Sequence, residues 1–291
     1  MEPGRAMILK PKERDIGSFA VRRVLPAAER RAVGPFVFFD QFGPTVFGAG
    51  DAMDVRPHPH IGLATITWLL EGAIEHRDSL GSHQVIRPGE VNWMTAGAGV
   101  VHSERSPASE RGGGARLYGV QAWVALPRER EETPPSFQHY PADGIPWLRE
   151  AGVTAALVVG EAWGLSSPVR TLMETFYADI ALDAGAALAL PGAVEERAVY
   201  LLSGSAMVGG AEVAAHEMLV IPPGGDVEIR AGADSRLIAI GGAPLDGPRR
   251  IWWNFVSHDP ARIEQAKADW RAGLFPKVPG DEAEFIPLPE R

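Results

Sequence analysis

Short apolar runs broken by glycine and proline recur from one end of the chain to the other, with 33 Gly and 25 Pro among 291 residues. That punctuation predicts many short strands rather than a few long helices. Thr65-Ile66-Thr67-Trp68-Leu69-Leu70, then Glu71-Gly72, then Ala73-Ile74-Glu75-His76-Arg77 reads as strand, tight turn, strand. Further strands are expected at Phe36 to Phe39, Glu90 to Met94, Arg116 to Leu126, Thr171 to Ile180, Ala198 to Leu202, Met218 to Ile221 and Arg236 to Ile240. Turn signals at this interval point to an all-β sandwich or barrel.

A weak internal repeat divides the chain. Leu69-Leu70-Glu71-Gly72-Ala73-Ile74 is echoed 132 residues later by Leu201-Leu202-Ser203-Gly204-Ser205-Ala206, and Pro88-Gly89 and Pro222-Pro223-Gly224 follow in their respective halves. The expectation is two copies of one barrel: 1–133, a linker at 134–144 within the charged and Pro-rich stretch Arg128 to Gly144, and 145–291. One helix is predicted, with Asp259 as N-cap, Pro260 at its first position, Ile263, Ala266 and Trp270 on one face and Gly273 as its stop. The tail from Pro276 to Pro289, with Phe275 before it and Phe285 and Ile286 within it, is expected to pack on the barrels.

Composition narrows the function. The formal charge is -9 with no basic block, which argues against nucleic-acid binding and leaves a basic protein as the partner such a surface would favour. Met1 to Lys12 holds no apolar stretch of signal length and no 18-residue apolar segment occurs, so a cytoplasmic protein without membrane attachment is expected. With no cysteine, any metal must be held by histidine and carboxylate.

The chemistry concentrates in two short segments. In Arg56-Pro57-His58-Pro59-His60-Ile61-Gly62, an extended strand points His58 and His60 to the same face. In Gly97-Ala98-Gly99-Val100-Val101-His102-Ser103-Glu104 the same period joins His102 to Glu104, after glycines that allow a sharp turn. On opposed strands the pairs offer three neutral nitrogens and one carboxylate oxygen, a cage for one divalent transition metal with two further positions free. The bland alternative, Glu104 salt-bridged to the histidines, would leave buried polar groups at a cost of several kcal/mol.

The hairpin, Gly81-Ser82-His83, Pro88-Gly89, Trp93-Met94-Thr95-Ala96-Gly97, His102-Ser103-Glu104 and Ile251-Trp252-Trp253-Asn254-Phe255-Val256-Ser257 together resemble the pirin family. That resemblance implies two tandem cupin barrels (double-stranded β-helix, jelly-roll) with a C-terminal helix, and one iron held in the first barrel by three His and one Glu, which fall on His58, His60, His102 and Glu104. It also implies quercetin 2,3-dioxygenase activity, known for some members, or service as an iron-dependent transcriptional cofactor. The second barrel departs from the pattern, since the offset of 132 places Leu190 and Gly192 at the His58 and His60 positions and the region of Ile229 opposite His102. It is expected to bind no metal, with His216 an exposed polar residue.

The remaining candidates weigh toward structure. His76 and His83 are expected to face solvent, with orientation of the ligands as the alternative, and Trp68, Trp93 and Trp123 are expected in the core rather than around a planar substrate. Asn254 reads as an interdomain hydrogen-bonding residue, and Gly112-Gly113-Gly114 as a flexible loop with no phosphate-binding lysine after it. The expected function is a mononuclear dioxygenase using Fe(II), with Mn, Ni, Cu, Co or Zn able to occupy the same donors, O2 and a flavonol or similar enol as substrates, and Glu104 as the catalytic base. An iron-dependent redox-sensing binding protein is the competing reading, and a sugar isomerase ranks third because no sugar clamp is visible. A monomer is expected, because two barrels in one chain cover each other as a dimer's would.

Overall fold

The computed structural model describes residues 6–16, 19–111 and 113–290. Met1 to Arg5 of the N-terminal reading and Gly112 of the glycine loop lie outside the described residues. The chain forms two compact units, each a β barrel of facing sheets. One unit gathers 40–142 and 246–291 with a short piece ending at Val21; the other gathers 143–245 with 22–39 and the N-terminal residues up to Glu13.

In the first of these units the strands are β1 (Asp54–His60), β2 (Leu63–Glu71), β3 (Ile74–Asp78), β4 (His83–Ile86), β5 (Val91–Thr95), β6 (Val100–Arg105), β7 (Arg116–Ala125) and β8 (Ser136–Tyr140). One sheet has the order β1-β6-β3-β4, and the sheet facing it contains the neighbours β8-β5-β2-β7. These strands pair antiparallel. Because β1 lies at the edge of its sheet and pairs only with β6, it tolerates Pro57 and Pro59, which have no N–H to give a ladder. Between β1 and β2 the chain reverses at Gly62, where φ is +69° and a Cβ would lie 1.9 Å from the carbonyl oxygen of Val256. Gly97 has φ of +51° and turns the chain toward β6, as its glycine run predicted.

Two expectations change here. The stretch 134–144, expected as a linker, contains β8, which pairs with β5 and carries Phe137 into the barrel. The helix and tail, placed by sequence order with the C-terminal half, belong to the unit of β1 to β8. The helix α1 (Pro260–Arg271) is capped as read, with the Asp259 carboxylate accepting the Ala261 N–H at 2.8 Å. Its buried Ile263 and Ala266 pack with Phe255 and with Ile61, the residue after His60. The tail follows the outer side of the metal strands as expected. Ile286 donates its N–H to the Pro57 carbonyl at 2.8 Å, and Arg105 grips Asp281 through Nε and Nη2, both at 2.8 Å.

In the other unit a sheet in the order Met7–Leu9, Met218–Ile221, Glu196–Ser203, Ser235–Gly242, Thr175–Leu182, Val153–Val159, Trp147–Glu150 faces a second one, Ala187–Leu190, Val227–Ala231, Ser205–Val208, Ala211–Ala214. Within the second sheet Leu188 pairs with Ile229, in the edge position that β1 and β6 hold in their own barrel, and both are buried with Leu190. Apolar side chains thus fill the interior where the first barrel sets its histidines. Among the described residues no helix is long and apolar enough to cross a membrane.

Candidate metal centre

The ladder between β1 and β6 creates the site. His102 pairs with His58 and Val100 pairs with His60, so the period of two sends all three imidazoles to one face. Each offers a ring nitrogen within 4.8 Å of the others, and all three residues are buried. Their ring centroids lie 4.4 to 5.0 Å apart. This is the one group of three or more potential ligands of this kind among the described residues.

The three rings are held by different partners. His58 donates Nδ1–H to the Arg56 carbonyl at 2.9 Å, which leaves its Nε2 as the bare nitrogen. His60 is hydrogen-bonded to the Asn254 backbone, and its Nδ1 has no protein partner. His102 sets Nδ1 3.4 Å from Nδ1 of His76, and its Nε2 has no protein partner. Burial disfavours the imidazolium in every case. It pushes His58 down to about 4 against the opposing pull of the Arg56 carbonyl, and His60 and His102 well below the ordinary value, with help from their imidazole neighbours. The cluster is therefore neutral at physiological pH, and two of its buried nitrogens, His60 Nδ1 and His102 Nε2, have no hydrogen-bond partner. Such a donor set fits a divalent transition metal, for which neutral imidazole is a preferred ligand.

Glu104 is buried on the same strand but stands apart from the triplet. β6 keeps its alternation past His102, since His102 and Glu104 pair in register with Asp78 and His76 of β3 and the register shift lies in the pairing with β1, and Gln121 Nε2 donates to both carboxylate oxygens at 2.9 and 3.0 Å. Burial raises its proton affinity, while the hydrogen bonds from Gln121 and Thr67 act the other way. The structure thus brings together three of the four expected ligands and places the carboxylate beside them on Gln121.

His76, expected at the surface, is buried; His83 is exposed as expected. The reason is register: β3 pairs with the far side of β6, with Asp78 opposite His102 and His76 opposite Glu104. His76 Nε2 bonds Asp78 Oδ2 at 3.1 Å, and Phe137 stacks on the His76 ring at 4.4 Å. Asp78 is lowered overall: its burial raises it, but the bonds from His76 and the Ser82 backbone outweigh that. Trp68, Trp93 and Trp123 are buried as expected, and Trp123 also meets the His60 ring edge-on at 5.2 Å. Asn254 acts through its backbone on His60, inside the same unit. His216 is half-buried in a turn with φ of +68°. Gln121, Thr67, Asp78 and the Asn254 carbonyl are the partners the sequence reading did not assign. His76-x-Asp78 carried the same period-two signal as His58-x-His60, whereas Gln121 carried none.

Comparison with known proteins agrees with this architecture. The family profile described as Pirin matches residues 18–124, and the one described as Pirin C-terminal cupin domain matches 177–276. A pirin-like protein of Caulobacter vibrioides is 49% identical over 98% of this chain and 99% of its own length. The crystal structure titled quercetin 2,3-dioxygenase from Acinetobacter baumannii superposes with a TM-score of 0.90 at 33% identity, covering 98% of this chain and 96% of that one. The structure of the Escherichia coli bacterial pirin YhhW in complex with nickel(II) shares the fold, with a TM-score of 0.65 at 22% identity over 83% of this chain and 100% of that one. With two cupin barrels, a buried histidine triplet in one of them and likeness along nearly its whole length, the chain belongs to the pirin family.

Proposed function

We propose that the protein is a mononuclear metal-dependent dioxygenase acting on a flavonol or similar enolic substrate, with Fe(II) as its working metal. The observation that carries this reading is the neutral, buried triplet His58, His60 and His102, in a fold shared with a relative titled as a quercetin 2,3-dioxygenase. A bacterial pirin of the same fold from Escherichia coli was crystallised in complex with nickel(II), which is in keeping with a divalent ion. When bound, the ion supplies Lewis acidity and, as iron, one-electron reactivity toward O2.

The chain's own residues supply the rest. His58, His60 and His102 would hold the ion, with Glu104 as the fourth ligand that the family resemblance implies. We assign Glu104 a second task, taking the proton from the substrate hydroxyl. Its burial raises its affinity for that proton, and Gln121 keeps both oxygens in a defined plane.

The test is anaerobic loading with Fe(II), followed by measurement of O2 uptake and carbon monoxide release with quercetin. Uptake that needs both metal and substrate is expected. Full metal loading with no uptake would overturn the oxygenase reading and favour the redox-sensing binding role.

A further inference from the structure

We propose that Asp78 and His76 form a side-chain relay that decides which nitrogen of His102 is offered to the metal. They are positioning residues, and their role rests on the metal reading above. The geometry starts from β6, which lies between β1 and β3, so that His102 has His58 on one side and Asp78 on the other. Asp78 is fixed first: its Oδ1 accepts the N–H groups of Leu80 at 2.9 Å and Ser82 at 3.0 Å. Its Oδ2 then takes the Nε2–H of His76 at 3.1 Å.

A neutral imidazole with its proton on Nε2 has a bare Nδ1, which only accepts. His76 Nδ1 lies 3.4 Å from His102 Nδ1, so in the proposed relay a neutral His76 takes the hydrogen there from His102. Its own proton therefore sits on Nδ1 and the lone pair sits on Nε2. That is the His102 nitrogen left without a protein partner. Phe137, stacked within 13° of the His76 plane, keeps the middle ring from turning. His58 and His60 are set by backbone groups of Arg56 and Asn254, whereas His102 is set by side chains. Its tautomer is the one a substitution can reverse without moving the main chain.

The deciding substitution is Asp78→Asn. The amide oxygen still accepts from Leu80 and Ser82, but an NH2 group replaces the acceptor that faced His76. That group donates to His76 Nε2, the His76 proton moves to Nδ1, and His102 must accept at Nδ1 and carry its proton on Nε2, where the metal belongs. In metal-free protein labelled with 15N-histidine, long-range nitrogen–proton correlation spectra are expected to show His102 protonated on Nδ1 in the parent and on Nε2 in Asp78→Asn. Nickel(II) titration is expected to show binding weakened 10- to 100-fold. In a His76→Phe background, adding Asp78→Asn should weaken nickel binding no further, because Asp78 acts through His76.

An unchanged His102 tautomer in Asp78→Asn would overturn the relay, as would a full additional loss of binding in the His76→Phe background. A parent that takes up no nickel would sink the metal reading instead, and the tautomer comparison, made without metal, still decides the relay.

Discussion

Stripping the metal should make the protein sensitive to acid well before its surface carboxylates titrate. In the unfolded chain a histidine has a pKa near 6.5, while burial holds His58 at about 4 in the folded state. Below pH 6.5 the unfolded chain therefore binds protons that the folded barrel refuses, so stability is fully present above that value and falls as pH drops toward 4. For His58 alone the loss is about 3 kcal/mol over the whole window and about 1 kcal/mol between pH 6 and pH 5, at roughly 1.4 kcal/mol per pKa unit. His60 and His102 shift in the same direction for the same reason and deepen the fall. Glu104 opposes them, because its raised folded value lets the barrel take up a proton early and returns part of the loss.

Urea unfolding of chelator-treated protein, followed by tryptophan fluorescence, measures the effect. With a slope of about 3 kcal/mol per molar urea for a chain of this size, the His58 share alone should lower the midpoint by about 0.3 M between pH 6 and pH 5. His58→Gln removes one of the three contributors and should reduce the total fall. A midpoint that is the same at both pH values, or a His58→Gln protein as acid-sensitive as the parent, would refute the idea that the triplet is held neutral by burial.

Four further substitutions have expected outcomes. Glu104→Gln should retain metal, measured by elemental analysis, while losing most oxygen uptake with quercetin, and His58→Ala should lose the metal itself. Gly62→Ala should destabilise by at least about 3 kcal/mol in thermal unfolding, because its left-handed φ is costly for alanine and its Cβ would press on the Val256 carbonyl. Asp259→Ala should cost about 1 kcal/mol through the lost cap on the Ala261 N–H, with metal content unchanged.

Much of the architecture is legible one residue at a time. Alternating apolar positions and paired turn residues mark the strands, and Asp259, Pro260 and Gly273 bracket the helix, because these signals act between near neighbours in the chain. The two His-x-His and His-x-Glu pairs are legible for the same reason, since a period of two is a property of any extended strand. Which unit an element joins is not local. β8 sits in a stretch whose prolines and charges read as a connector, yet Phe137 lies where β5 needs a partner, and α1 belongs to the barrel far behind it in the chain because Ile263 and Ala266 find Ile61 and Phe255 there.

The same division runs through the site. The residue types and spacing alone determined that a metal here must be held by imidazole and carboxylate, and that His58 shares a face with His60. Only the folded molecule decided that His102 stands directly opposite His58, that Gln121 takes hold of Glu104, and that His76 is drawn inside between Asp78 and His102. The physical reason is register: the order of residues fixes which side of its own strand a side chain faces, but what it meets there depends on how distant strands are aligned, and that alignment is set by the packing of the whole barrel.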